Sequence, residues 1–209
     1  MTEDDIEQIV RQFEGAAKAS LKAGFRVLEI HMAHGYLLHE ILSPLSNFRK
    51  DQYGGSLENR MRLPLKIAKT LRSVWPISRP VFTRISASDW VEGGWDLKQS
   101  IEFSKKLKEI GIDLIDCSSG GNVPDAPIPA VPGYQVPFSA GIRKEAAILT
   151  GAVGIITDPH QCEKILDEGK ADVIFMAREF LRDPYFPLHG AKILGEDIKW
   201  PQQYDRAKR

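Results

Sequence analysis

Apolar positions along this chain follow two alternating patterns. Long stretches space them three and four residues apart, and between these lie short, nearly continuous apolar runs. The first stretch, from about residue 4 to residue 23, sets Ile6, Val10, Phe13, Ala17 and Leu21 on one stripe, the mark of a helix buried along one face. Ser56 stands where it can cap a second helix, with Met61, Leu65, Ala68, Leu71 and Val74 inward. A third is expected over residues 97–110, with Phe103, Leu107 and Ile110 inward. Shorter helices are expected over about residues 138–149, 159–168 and 184–194.

The apolar runs predict five strands, at about residues 26–31, 80–86, 113–118, 152–157 and 172–177. Three of them follow a glycine closely: Gly24, Gly111 and Gly169. Glycine there suits the left-handed position that ends a helix. Runs without polar alternation are expected of parallel strands buried on both faces. Helix and strand in regular alternation predict an α/β fold with a parallel sheet. Residues 1–209 read as a single domain, since no linker or low-complexity tract divides them. Residues 122–133 hold four prolines and read as a loop.

An open doubly wound sheet and a TIM-type barrel both fit this alternation. No GxGxxG follows any of the strands, so the dinucleotide fingerprint of the open sheet is missing. Polar residues instead crowd the C-terminal ends of several strands: His31, Arg84, Ser118, Ser119 and Arg178. A barrel assembles its site from many strand ends at that face, so the barrel is favoured.

Composition narrows the function classes. Lysine plus arginine and aspartate plus glutamate each number 28, for a formal net charge of zero. That argues against nucleic acid or an anionic membrane as the main partner. No apolar run approaches the roughly 18 residues of a membrane span. The acidic start, MTEDDIEQIV, lacks the apolar core of a signal peptide. Cys117 and Cys162 form no CxxC and read most simply as free thiols of a cytoplasmic protein, with a disulfide as the alternative.

The chemistry concentrates after the first strand, in HMAHGYLLHEILSPLSNFRKDQYGGSLENR. Two imidazoles, His31 and His34, offer paired N–H donors for a carbonyl or nitro oxygen, and Tyr36 beside them can deliver a proton. The competing reading is zinc held by His31 and His34 with His39 or Glu40, although no HExxH or cysteine partner is present. Arg84 lies inside an apolar strand, where a charge is costly unless paired or bound to a ligand. Either an ion pair with Glu29 or Asp116, or a ligand that gains negative charge, would account for it. Arg178 follows the last strand, where barrels commonly hold phosphate. Asp51, Tyr53, Gly54, Gly55, Asn59 and Arg60 read as the scaffold of a long loop.

These residues closely resemble the old yellow enzymes, the FMN-dependent NAD(P)H oxidoreductases. The His-x-x-His-Gly-Tyr form at residues 31–36 is similar to the subgroup of bacterial NADPH dehydrogenases, whereas the yeast-type branch has asparagine at the second histidine position. The resemblance spans essentially the whole chain. It takes in TRISASDW around Arg84, DCSSG from Asp116, PGYQVP from Pro132, and Ala177-Arg178-Glu179. It implies a TIM-type (β/α)8 barrel, FMN as bound cofactor, NADPH or NADH as hydride donor, and an α,β-unsaturated carbonyl or nitro compound as substrate. His31 and His34 would hold the substrate oxygen above the flavin, and Tyr36 would protonate the substrate carbon. Arg84 would face the N1/C2-oxygen end of FMN, and Ala177 and Arg178 the phosphate. The family usually has glycine where Ala177 stands. The subgroup forms dimers or tetramers, so a homo-oligomer is also implied.

The resemblance places Met1 at the helix before the family's fourth strand. Strands four to eight are therefore expected here, an incomplete barrel corresponding to the C-terminal portion of the family fold. An alternative expectation follows: a non-catalytic remnant without strands one to three that binds flavin weakly or not at all.

Overall fold

The computed structural model describes residues 1–208. Five strands, β1 (Leu28–Met32), β2 (Val81–Ser86), β3 (Leu114–Ser118), β4 (Leu149–Ala152) and β5 (Val173–Ile174), form one parallel sheet. Their order in the sheet is their order in the chain. Every crossover thus steps the same way round, as in a barrel wall, and strand order never reverses as it does in a doubly wound sheet. Among the described residues β1 and β5 each have one neighbour, so the wall is open.

The helices follow the apolar stripes. α1 (Glu3–Lys22) starts in a capping box between Thr2 and Asp5 and buries Ile6, Val10 and Ala17. α2 (Leu37–Leu42) is a short helix with no counterpart in the apolar pattern. α3 (Leu57–Val74) is capped by Ser56, whose hydroxyl accepts from Asn59 N–H, and it buries Met61, Leu63, Ile67, Ala68 and Leu71. α4 (Leu97–Ile110) is capped by Asp96 and ends at Gly111, at φ 94°. α5 (Val136–Ala146) and α6 (Pro159–Asp167) lead to β4 and β5. The helix expected over residues 184–194 is preceded by another: α7 (Arg178–Arg182) comes before α8 (Phe186–Leu194), and a 3-10 turn spans Gln202–Ala207. Gly24 and Gly169 also adopt positive φ after their helices, as expected.

The fourth strand is displaced from its predicted place. It runs over Leu149–Ala152 rather than 152–157, and α5 stops at Ala146 with Ala147 left-handed. Gly154 (φ 119°) and Ile155 (φ 50°) take conformations no strand can continue through, so the apolar run after Ala152 is loop. β5 is cut to two residues; Phe175 N–H still donates to Ala152 C=O at 2.8 Å, and α7 begins at Arg178.

One large core joins α1, α3, α4 and β1–β3, and a smaller one gathers Val136, Ala152, Ile156, Ile165 and Ala171 near β4 and β5. Arg60, assigned to scaffolding, is buried. Its Nε donates to Gly55 C=O at 3.2 Å, its Nη2 to Gln99 Oε1 at 2.8 Å, and its Nη1 to Leu42 C=O. Tyr53 is also buried, and Asn59 Nδ2 donates to Gly54 C=O at 3.1 Å. Cys117 and Cys162 are both free, Cys117 buried within β3. Among the described residues no helix is long and apolar enough to cross a membrane.

Candidate active site

Register, more than proximity in sequence, assembles the site. His31, Arg84, Asp116, Gly151 and Val173 are paired across β1 to β5, one row on one face of the sheet. One step toward the C-terminal ends, Ser86 pairs with Ser118. The side chain missing at Gly151 leaves room that the Phe175 ring fills, and Phe175 meets Phe82 edge-on at 6.4 Å between centroids.

After β1 the chain makes a tight turn through two left-handed residues, His34 (φ 60°) and Gly35 (φ 74°). This brings His34 back beside His31, with ring centroids 5.2 Å apart, and sets the Tyr36 ring 5.4 Å from that of His31. The turn is held from several directions. His34 N–H donates to Ser86 Oγ at 2.9 Å, and Ser86 Oγ donates to Gly120 C=O at 2.7 Å. Gly121 lies so close that a Cβ there would come within 2.6 Å of His34 Cα. Gly35 N–H donates to His39 Nδ1 at 2.9 Å.

His39 belongs to this support. Its Nδ1 accepts from Gly35, so its ring proton in the neutral form sits on Nε2, 3.0 Å from Asp89 Oδ1 though not aligned as a straight hydrogen bond. Both side chains are fully buried. Asp89 Oδ2 accepts from Ser43 Oγ at 2.6 Å and Trp95 N–H at 2.8 Å. These donors, with His39, hold the Asp89 carboxyl below the usual range against the opposing effect of burial.

The electrostatics are those of a partly desolvated cation site. Burial, then Arg84, His31 and His39, push His34 down to about 4, so it is neutral at ordinary pH. Desolvation and Arg84 lower His31 as well. Arg84 takes the ion-pair option left open by the sequence. Its Nη1 is 3.3 Å from Asp116 Oδ2, while its Nε has no hydrogen-bond partner among the described residues. Burial raises Asp116 to about 7; Arg84 opposes the rise and Glu29 adds to it.

Ala177 and Arg178 lie apart from this row, at the start of α7, where both are exposed. With Val153, Gly154, Ile155 and Phe175 they line a cavity of about 280 Å³. Among the described residues Arg178 has no ion pair, whereas Arg182 is engaged by Glu179 at 2.6 Å. The displaced fourth strand matters here, because its expected second half is this cavity's wall.

The pattern of apolar runs gives no sign of Asp89, Ser86 or Gln135 as parts of the site. Gln135 is buried between Ser118, Ser119 and the Val153 carbonyl. The available signal is a run of small polar residues just past two strand ends, SASD and SSGG.

The sequence pattern of the NADH:flavin oxidoreductase / NADH oxidase family matches residues 1–194. The chain is 54% identical over 207 residues to the NADPH dehydrogenase of Halalkalibacterium halodurans, covering 99% of this chain and 60% of that protein. It is 50% identical over 206 residues to the NADPH dehydrogenase of Bacillus subtilis, again 99% and 60%. Among solved structures, a 2-naphthoyl-CoA reductase complex superposes with a TM-score of 0.85 at 29% identity, over 94% of this chain and 30% of that one. The old yellow enzyme homologue from Zymomonas mobilis gives 0.75 at 26% identity, over 95% and 55%. The chain thus spans about 60% of the length of these NADPH dehydrogenases. Matched along nearly its whole length, it belongs to the NADH:flavin oxidoreductase / NADH oxidase family, the family to which its old yellow enzyme motifs point.

Proposed function

We propose that this chain carries the substrate-activating half of an FMN-dependent NAD(P)H oxidoreductase that reduces activated C=C bonds of unsaturated carbonyl or nitro compounds. The observation that carries this reading is the cluster of His31, His34 and Tyr36 rings, with Arg84 opposite His31 in the next strand. His31 and His34 polarise the substrate oxygen, each donor contributing about 3 kcal/mol where negative charge develops. Tyr36, 66% exposed at the mouth of the turn, delivers the proton to carbon.

The residues present suit FMN. Arg84 is a cation whose buried Nε has no partner among the described residues, a costly state in apolar surroundings unless a ligand completes it. Arg178 beside the cavity at Val153–Ile155 offers a grip for phosphate, and Ala177 still supplies a backbone N–H. Bound FMN would supply the hydride carrier between the nicotinamide and the alkene.

The second reading is a chain that keeps these residues but holds flavin weakly or not at all. Its support is the open wall, in which β1 and β5 each have a single neighbour among the described residues. Purification followed by visible absorbance and flavin release on denaturation separates the two. The first reading expects bound flavin and alkene-dependent NADPH consumption; a colourless protein without such turnover supports the second. In an active preparation Tyr36→Phe should slow alkene reduction at least tenfold and spare flavin reduction by NADPH. Equal loss in both half-reactions would contradict the proton-donor role.

A further inference from the structure

A neutral imidazole carries one N–H, and the nitrogen that bears it decides how the ring can donate to a ligand. His34 Nε2 is 2.7 Å from Ser118 Oγ. That contact admits two directions: Ser118 gives its proton to His34, or His34 gives its proton to Ser118. In the second case Ser118 would pass its own proton on to Gln135, the other acceptor near its hydroxyl.

Gln135 decides between them. Its Nε2 donates to the Val153 carbonyl at 2.8 Å, so the amide is oriented with Oε1 toward the two serines. Oε1 already accepts from Ser119 Oγ at 2.6 Å. Ser118 Oγ lies 3.4 Å from the same Oε1, well beyond the usual O–H···O range, against 2.7 Å to His34 Nε2. A carbonyl at the end of β4 therefore sets the direction of the whole chain of donors.

We propose that Ser118 donates to Nε2 of His34 and fixes the ring as the Nδ1–H tautomer, leaving Nδ1–H as the group that donates to a bound substrate oxygen. Ser118 is then a positioning residue acting through His34, with Gln135 and Ser119 behind it. Its relevance to substrate rests on the function proposed above; the tautomer itself does not. The opposite tautomer would turn a lone pair toward the substrate oxygen from Nδ1, a repulsive contact in place of a hydrogen bond.

Long-range 1H–15N spectra of the chain labelled with 15N-histidine test this at neutral pH, because protonated and bare ring nitrogens resonate far apart. The expected spectrum shows His34 with Nδ1 protonated and Nε2 bare. Ser118→Ala should move the ring toward the Nε2–H form that histidine favours in water. Ser119→Ala, at a residue whose hydroxyl bonds to Gln135 and, among the described residues, not to His34, should do the same, because it frees Gln135 Oε1 to take the Ser118 proton. A purely structural role for these serines would leave the tautomer in place. An Nε2–H ring in the unsubstituted chain, or an Nδ1–H ring in both variants, would overturn the proposal. Should Ser118→Ala fail to fold, the unsubstituted chain and Ser119→Ala still decide it. No flavin is needed for the spectrum, so an Nδ1–H ring in a chain that binds no phenolate would support this assignment while contradicting the proposed reaction.

Discussion

The two ends of the sheet hold their candidate site residues by different means. At the β1 end, the turn carrying His34 and Tyr36 is gripped by side chains from elsewhere in the fold: Ser86, Ser118, and His39 with Asp89 behind it. At the β5 end, Ala177 and Arg178 are exposed, the strand is two residues long and the local core is small. The difference suits two tasks. Donors that must meet developing charge gain most from being fixed beforehand. A phosphate grip of charge and backbone N–H groups tolerates a looser frame, since the anion itself draws the donors together.

If that contrast is right, substitutions at the first end should cost stability and site geometry together. Those at the second should cost binding alone. The largest effect is expected at Gly35→Ala. The new Cβ would run into the Gly121 carbonyl, at a residue with φ 74° that non-glycine residues rarely adopt. We expect a loss of about 2–4 kcal/mol by urea denaturation, and loss of phenolate binding. His39→Leu leaves the Asp89 charge buried and the Gly35 N–H unpaired, and should cost about 3 kcal/mol. His39→Asn should recover much of this, because its Oδ1 can stand where Nδ1 accepts. Equal damage from both variants would show that packing, not the hydrogen bond, holds the turn.

Asp116 gives an effect set by pH. Its pKa rises from 3.8 to about 7 on folding, so between those values the folded state binds more protons than the unfolded. The Asp116 contribution to stability should therefore fall as pH rises from about 4 to about 7, by on the order of 4 kcal/mol. Asp116→Asn should remove that contribution, so that in urea titrations taken across the range the variant gains stability relative to the unsubstituted chain as pH rises. His34 acts in the opposite sense: its pKa drops from 6.5 to about 4, so its contribution is lost as pH falls through that window. The smallest stability change is expected at Arg178→Ala, within about 0.5 kcal/mol, because the side chain is exposed and packs on little. The same variant should bind FMN about tenfold less tightly and leave riboflavin affinity unchanged, since riboflavin has no phosphate.

The same contrast explains what was legible in the sequence. β1 to β3, α3 and α4 follow apolar runs and caps that are local: Ser56 and Asp96 sit where their hydrogen bonds are made. His31, His34 and Tyr36 stand out because they are close in sequence, at the end of β1 and in the turn after it. The fourth strand lies elsewhere because Gly154 and Ile155 look apolar and extended in sequence but adopt positive φ, with Gly154 close against Gln135 and Tyr134 from a distant segment. His39, Asp89 and Gln135 escaped notice as support because their partners come from other strands and loops. For Arg84 the sequence offers two explanations, an ion pair or a ligand; the fold shows the ion pair with Asp116 at Nη1, and among the described residues Nε has no hydrogen-bond partner.

The central claim is that the row from His31 to Asp116, with the His34–Tyr36 turn above it, is built to hold an electron-rich oxygen beside a flavin. It is tested most directly by titrating a phenolate into the FMN-loaded protein and following the flavin's visible absorbance, with the unsubstituted chain beside His31→Ala. The account predicts a saturable spectral change that weakens at least tenfold in His31→Ala, with FMN content unchanged. A flavin spectrum indifferent to phenolate, or a titration curve that His31→Ala does not move, would contradict it.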